Sequence, residues 1–229
     1  MTGLGDALAN PVWHALGGAQ SALAEAKGAA RRYQPDVSIF CALPDAPAAD
    51  DWGALRALVG PGEDAFLIRE EIAPPDGWVP TFELDCVQMV LDGEIAAGPV
   101  PDHVVLGPGD VTEMTDLVAR TEPGPWRPRT IQFGGYVGVR DAGALVAMAG
   151  ERMRPPGFAE VSAVCTEPAY RGRGLAGGLT RVVARAITAR GECPMLHAST
   201  GNASAVRLYE SLGFRRTYAI KAMALRVPI

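Results

Sequence analysis

The 229-residue sequence predicts an α/β (α+β) fold, a mixed central sheet flanked by helices. Short β-branched and aromatic runs alternate with helical stretches of amphipathic pattern. A glycine-rich turn at 171–176 joins a strand to a helix, and a Gly98-Pro99-Val100-Pro101 break divides the chain near its middle. The break separates an N-terminal α/β segment, 1–99, from a second segment, 100–229.

In the first segment, the Ala-rich stretch from Gly5 to Arg32 predicts one or two helices. Val37–Leu43, bounded by Pro35 and Pro44, predicts a strand. Asp50 or Asp51 is placed to cap a short helix through Leu58, closed by Gly60-Pro61. Ala65–Arg69 and Phe82–Leu91 predict strands around the loop at Pro74-Pro75-Asp76-Gly77. The second segment is patterned more sharply. His103–Leu106 predicts a strand, and Asp110 stands three residues before Glu113, the spacing of a capping box for a helix to Arg120. Phe133–Arg140 and Ala144–Arg152 read as a hairpin through Asp141-Ala142-Gly143. Phe158–Thr166 predicts a strand on which period-2 alternation puts Glu160, Ser162, Val164 and Thr166 on one face. Leu175–Arg190 predicts a helix with Leu175, Leu179, Val182, Val183 and Ala186 on its apolar side, ending at Gly191. Met195–Ala198 predicts a strand. Ala203–Leu212 predicts a helix that Asn202 caps and Gly213 ends, and Arg215–Val227 one or two closing strands.

Hydrophobic residues make up 48% and charged residues 21% of the chain, enough apolar material for a sizeable core. Met1–Leu16 has neither the basic start nor the apolar run of a secretory leader, and no stretch approaches the ~18 apolar residues of a membrane span. Cys41, Cys86, Cys165 and Cys193 form no Cys-x-x-Cys pair and read as reduced thiols, which predicts a cytoplasmic location. His14, His103 and His197 share no ligand spacing, so no metal site is expected. Residues 1–100 carry 15 acids and 5 bases, whereas residues 101–229 carry 11 acids and 16 bases. The second segment therefore suits a polyanion, while the net charge of −5 argues against a nucleic-acid binder.

The sharpest chemical signal is Arg171-Gly172-Arg173-Gly174-Leu175-Ala176. Glycines there let the backbone turn its N–H groups inward, and the following helix adds the positive end of its dipole, a combination suited to a diphosphate. It is neither a Walker loop nor a Rossmann fingerprint. The hexapeptide resembles the Gln/Arg-x-x-Gly-x-Gly/Ala cofactor motif of the GNAT superfamily of N-acetyltransferases. Asn202-Ala-Ser-Ala-Val-Arg-Leu-Tyr-Glu-Ser-Leu-Gly-Phe214 resembles that family's second motif, and the order of elements over residues 100–229 matches.

The resemblance implies acetyl-CoA as co-substrate and an amine, of a small molecule or a peptide, as acceptor in a ternary complex. Two other readings stay open, a silent acyl-CoA sensor and an enzyme for a longer acyl donor. The resemblance also implies a splayed pair of strands, with the backbone of Val164, Cys165 and Thr166 pairing to pantetheine and the Val164 N–H placed to polarise the thioester. Arg171 through Ala176 (Arg171, Gly172, Arg173, Gly174, Leu175, Ala176) receive the diphosphate, and Asn202 touches the cofactor arm or simply caps its helix. Tyr209 is the implied general acid and Glu160 the implied base, while His103 and His197 read as satisfied core residues. Residues 1–99 contain no second such loop and read as a degenerate GNAT-like half or a structural extension, their acids suited to a cationic amine, a polyamine or a protein N-terminus. A homodimer is left open, and no nucleic-acid or membrane partner is expected.

Overall fold

The computed structural model describes residues 4–229, with side chains from Ala7 onward; Met1–Gly3, at the head of the predicted N-terminal helices, lie outside the described residues. Eleven strands form one sheet in the order β1-β2-β3-β4-β11-β5-β10-β9-β8-β7-β6. The first segment supplies α1 (Leu4–Ala9), α2 (Pro11–Leu16), β1 (Ala24–Lys27), β2 (Ala30–Tyr33), β3 (Phe40–Ala42), α3 (Ala49–Val59), β4 (Asp64–Arg69) and β5 (Val79–Leu91). The second supplies β6 (Val104–Leu106), α4 (Val111–Thr121), β7 (Tyr136–Asp141), β8 (Ala144–Glu151), β9 (Phe158–Thr166), α5 (Leu175–Ala189), β10 (Cys193–Ser199), α6 (Ala203–Ser211) and β11 (Phe214–Arg226).

The two segments share this sheet intimately. β5 lies between β10 and β11, antiparallel to both, and β11 also pairs with β4. Met89 and Leu91 of β5 thereby join Leu179, Val183 and Ile187 of α5 in the largest core cluster. Burial at such a seam holds the segments together, at roughly 25 cal/mol per Å² of apolar surface removed from water.

Three expectations change. Residues 5–32 do not stay helical: after α2 the chain forms the β1–β2 hairpin, closed by a turn in which Gly28 takes φ +55. Tyr33 of that hairpin is fully buried against Phe133, so tertiary burial outweighs the local helix preference of alanine. On α5 the buried side runs through Leu179, Val183, Ala184 and Ile187, leaving Ala186 exposed. Asp110 does not cap through its expected box: its carboxylate accepts from the Gly107 N–H at 2.8 Å and pairs with Arg140, as does Glu113. The 141–143 hairpin is as expected, with Ala142 and Gly143 both at positive φ.

Candidate active site

The site begins where two strands part. β9 and β10 run parallel through three facing pairs, Phe158 with Cys193, Ala159 with Pro194 and Glu160 with Met195. Beyond them β9 keeps only β8 and β10 keeps only β5, so the two diverge into a fork. A bulge sharpens it. The β8–β9 register passes from Gly150–Ser162 to Met148–Cys165, and Ala163 takes φ +51. The extra residue breaks the simple alternation. Val164 packs with Val161 in the cluster under α5, and Cys165 joins the α4 cluster with Met114 and Leu117, so Glu160 and Val164 do not share a face.

The glycine loop sits at the mouth of the fork. Gly172 and Gly174 have φ +78 and +76, conformations an L side chain adopts only under strain, and no atom lies within 4 Å of where a Cβ would stand. The backbone N–H groups from Gly172 through Gly177 find no acceptor among the described residues, and no acidic side chain occupies the first turn of the 15-residue α5. Six unclaimed amides at a helix N-terminus make an anion cradle. Arg171 donates to the Thr166 carbonyl at 3.3 Å. Arg173 instead lies over the Tyr170 ring at 4.6 Å and does not line the cleft, apart from its neighbours in the motif.

A cleft of about 940 Å³ joins these parts. Val164, Cys165 and Thr166 line it from β9, and Arg171, Gly172, Gly174, Leu175 and Ala176 from the loop. Asn202 and Tyr209 close it from α6. The Thr166 hydroxyl is buried with no hydrogen-bond partner among the described residues, a polar atom ready for a ligand. Asn202 caps α6, its Oδ1 accepting from the Ala205 N–H at 3.1 Å. Tyr209, largely buried and edge-on to Phe214, makes no hydrogen bond to a described residue; burial pushes its phenol up to about 12.

Glu160 lies behind the cleft wall, fully buried. Its carboxylate accepts from Arg152 Nε at 2.7 Å and Nη2 at 2.6 Å, from the Met153 N–H, and from His197 Nδ1 at 2.7 Å. Burial alone would raise this carboxyl, but the Arg152 charge and its hydrogen bonds, with help from His197, hold it at about 2. A carboxylate so low and so fully engaged is a poor proton acceptor at neutral pH, and the base role implied by the sequence does not fit it. His197 is satisfied on both sides: Gln88 Nε2 lies 3.0 Å from its Nε2 and also donates to the Leu8 carbonyl, which leaves Nδ1–H facing Glu160. His103, in contrast, is exposed and sits beside the Pro101 carbonyl.

Comparison with known proteins agrees with this geometry. A crystal structure from Novosphingobium aromaticivorans, assigned as an acetyltransferase from the GNAT family, superposes with a TM-score of 0.88 at 47% identity, over 97% of this chain and 99% of that one. The chain belongs to the GNAT family. The family model described as FR47-like protein matches residues 136–222. Mycothiol acetyltransferase of Thermomonospora curvata is 35% identical over 184 residues, 77% of this chain and 57% of its own. The N-alpha-acetyltransferase RimI of Mycobacterium tuberculosis is 38% identical over 101 residues, 40% of this chain and 63% of its own. The chain thus spans about three fifths of the length of these curated relatives.

Seen as a GNAT fold, the chain carries features that its motifs do not announce. Arg152, Gln88 and the bulge at Ala163 have no spacing signal, because strand partnership brings them to the fork. The first segment, blank in motif terms, supplies Phe40, Phe66, Ile68, Phe82, Leu84 and Cys86 to the same cleft. Among the described residues no group of three or more His, Cys, Asp and Glu is placed to hold a metal ion, and no helix is long and apolar enough to cross a membrane.

Proposed function

We propose that the protein transfers an acetyl group from acetyl-CoA to an amine, directly and in a ternary complex. The observation that carries this reading is the coincidence of the β9–β10 fork with the unclaimed amides of Gly172–Gly177 on one cleft. The side-chain-free space over Gly172 and Gly174 and the unpartnered Thr166 hydroxyl fit a nucleotide thioester. Bound there, acetyl-CoA supplies an acetyl group activated as a thioester.

The residues of the chain have separable tasks. The loop from Arg171 to Ala176 holds the diphosphate through backbone amides, with Arg171 adding charge at its edge. The β9 backbone at Val164–Thr166, freed from β10, is available to an extended arm. Tyr209 keeps its phenolic proton at neutral pH, since burial raises the group, and donates it to the departing sulfur while the attacking nitrogen gives up its own proton through water. Glu160 serves as a positioning residue: it fixes Arg152 and the tautomer of His197, whose ring lines the cleft.

Tyr209→Phe is the direct test. We expect kcat to fall about 100-fold, a general-acid contribution, with the Kd for CoA unchanged. If a panel of amines gives no thiol release with either protein while CoA still binds, the chain is a binding module rather than an enzyme.

A further inference from the structure

We propose, resting on the acyl-transfer reading, that the acceptor is an α-amino-acyl unit with a large apolar side chain. Its carboxylate or carbonyl would sit on Arg152, and its side chain on a wall of Phe40, Phe66 and Phe82. Every residue that the first segment gives to the cleft is apolar, although that segment carries most of the chain's acids. The cationic amine or polyamine suggested by those acids therefore finds no carboxylate on this wall.

The wall is continuous. Phe40 meets Phe66 at 5.5 Å between ring centroids, and Phe66 meets Phe82 at 5.5 Å, running from the buried fork to the cleft mouth. At the mouth Phe82 is 44% and Leu84 38% exposed. Large apolar side chains left open on a concave surface gain most from a ligand that covers them.

Arg152 supplies a charged donor beside that wall, next to the His197 ring that shares its Glu160 partner. It lines the cleft and stacks 5.0 Å over the Phe40 ring. Glu160 takes its Nε and Nη2, but Nη1 donates to no described residue. A largely desolvated guanidinium with two idle N–H groups suits a carboxylate, and because Glu160 already balances its charge, an amide carbonyl also satisfies it. A donor beside an aromatic wall is the complement of an α-amino-acyl unit, which joins an oxygen acceptor and an apolar side chain at one carbon bearing the amine. A free amino acid and the N-terminal residue of a peptide share this chemistry.

Calorimetry on the full chain, with CoA present, tests the inference by binding alone. We expect L-phenylalanine or a Phe-Ala-Gly peptide to bind about tenfold or more tightly than phenethylamine and spermidine. The tighter of the first two identifies the source of the unit. Phe82→Ser should weaken phenylalanine about fivefold and leave glycine unchanged. Equal or tighter binding of spermidine or phenethylamine overturns the proposal. Binding decides this inference and thiol release decides the acyl-transfer reading, so the two failures are distinguishable.

Discussion

The two segments share a strand plan and differ in the loops that enter their helices. About the central β11–β5 pair the strand order is nearly symmetric, β1-β2-β3-β4 on one side and β7-β8-β9-β10 on the other. In each, three antiparallel strands lead through a helix, α3 or α5, to a parallel neighbour. Each segment's last strand crosses over: β5 pairs with β10, and β11 with β4.

The loops into the two helices are opposite in chemistry. Leu43–Ala48 has no glycine, and at the start of α3 the Ala48 N–H is already taken by the Asp51 carboxylate at 2.8 Å, beside Asp50. Arg69 reaches across to the carbonyls of Pro44 at 2.8 Å and Asp45 at 2.6 Å, and Asn10 to that of Leu43 at 2.9 Å. The space left there is about 240 Å³ against 940 Å³ at the second fork. Topology thus supplies two forks, and half a dozen loop residues decide which can receive an anion.

The forks also differ in what they bury, and this sets the largest expected effect. At the first fork the parallel pairs are apolar, Phe40 with Phe66 and Cys41 with Leu67; at the second, Glu160 is buried with Arg152. Glu160→Gln leaves the guanidinium without its countercharge and should cost about 3–5 kcal/mol of stability. Chemical denaturation at pH 7 measures it. Because the folded-state carboxyl lies below its usual 4.5, at about 2, its stabilisation is full above pH ~4.5 and lost as pH falls toward 2. The deficit of the variant should shrink over that same window. An equal deficit at pH 7 and pH 3 would mean that the lost term is packing, not charge.

The next effect falls on the loop. Valine at Gly174 forces a β-branched residue into φ near +76 and places methyl groups over the amide cradle. CoA affinity should drop about 100-fold, read by calorimetry, with the fold retained because the position faces open space. An unchanged Kd would remove the cradle from the site and with it the contrast between the two forks.

How much of this was legible in the sequence follows from where each signal resides. The loop at 171–176, the helix cap at Asn202 and the strand Phe158–Thr166 are local, and the structure has them where the pattern does. The β1–β2 hairpin was hidden because alanine favours helix locally, and only the burial of Tyr33 draws it into the sheet. Bulges leave no periodic mark, so the shift at Ala163 overturned the expected face of Val164. Glu160 as a free base failed for a related reason. Its partner Arg152 lies on the neighbouring strand, and nothing eight residues upstream in the sequence announces an ion pair. The acceptor wall depends on sheet order, with Phe40, Phe66 and Phe82 coming from three separate strands.

The smallest effect tests whether the first fork is plugged or merely unused. Arg69 is half of the plug, and its Nε is buried without a hydrogen-bond partner among the described residues while the other nitrogens hold loop carbonyls. Arg69→Ala removes those hydrogen bonds, and stability should fall by about 1–2 kcal/mol. CoA affinity at the second fork should stay within about twofold, since Arg69 does not line that cleft. Stoichiometry is the sensitive reading, and it should remain one CoA per chain, because the Asp50 and Asp51 carboxylates still repel an anion and the Ala48 N–H remains taken. A second equivalent of CoA in the variant would show that the arginine alone blocked the first fork, and that its acidic loop was no barrier.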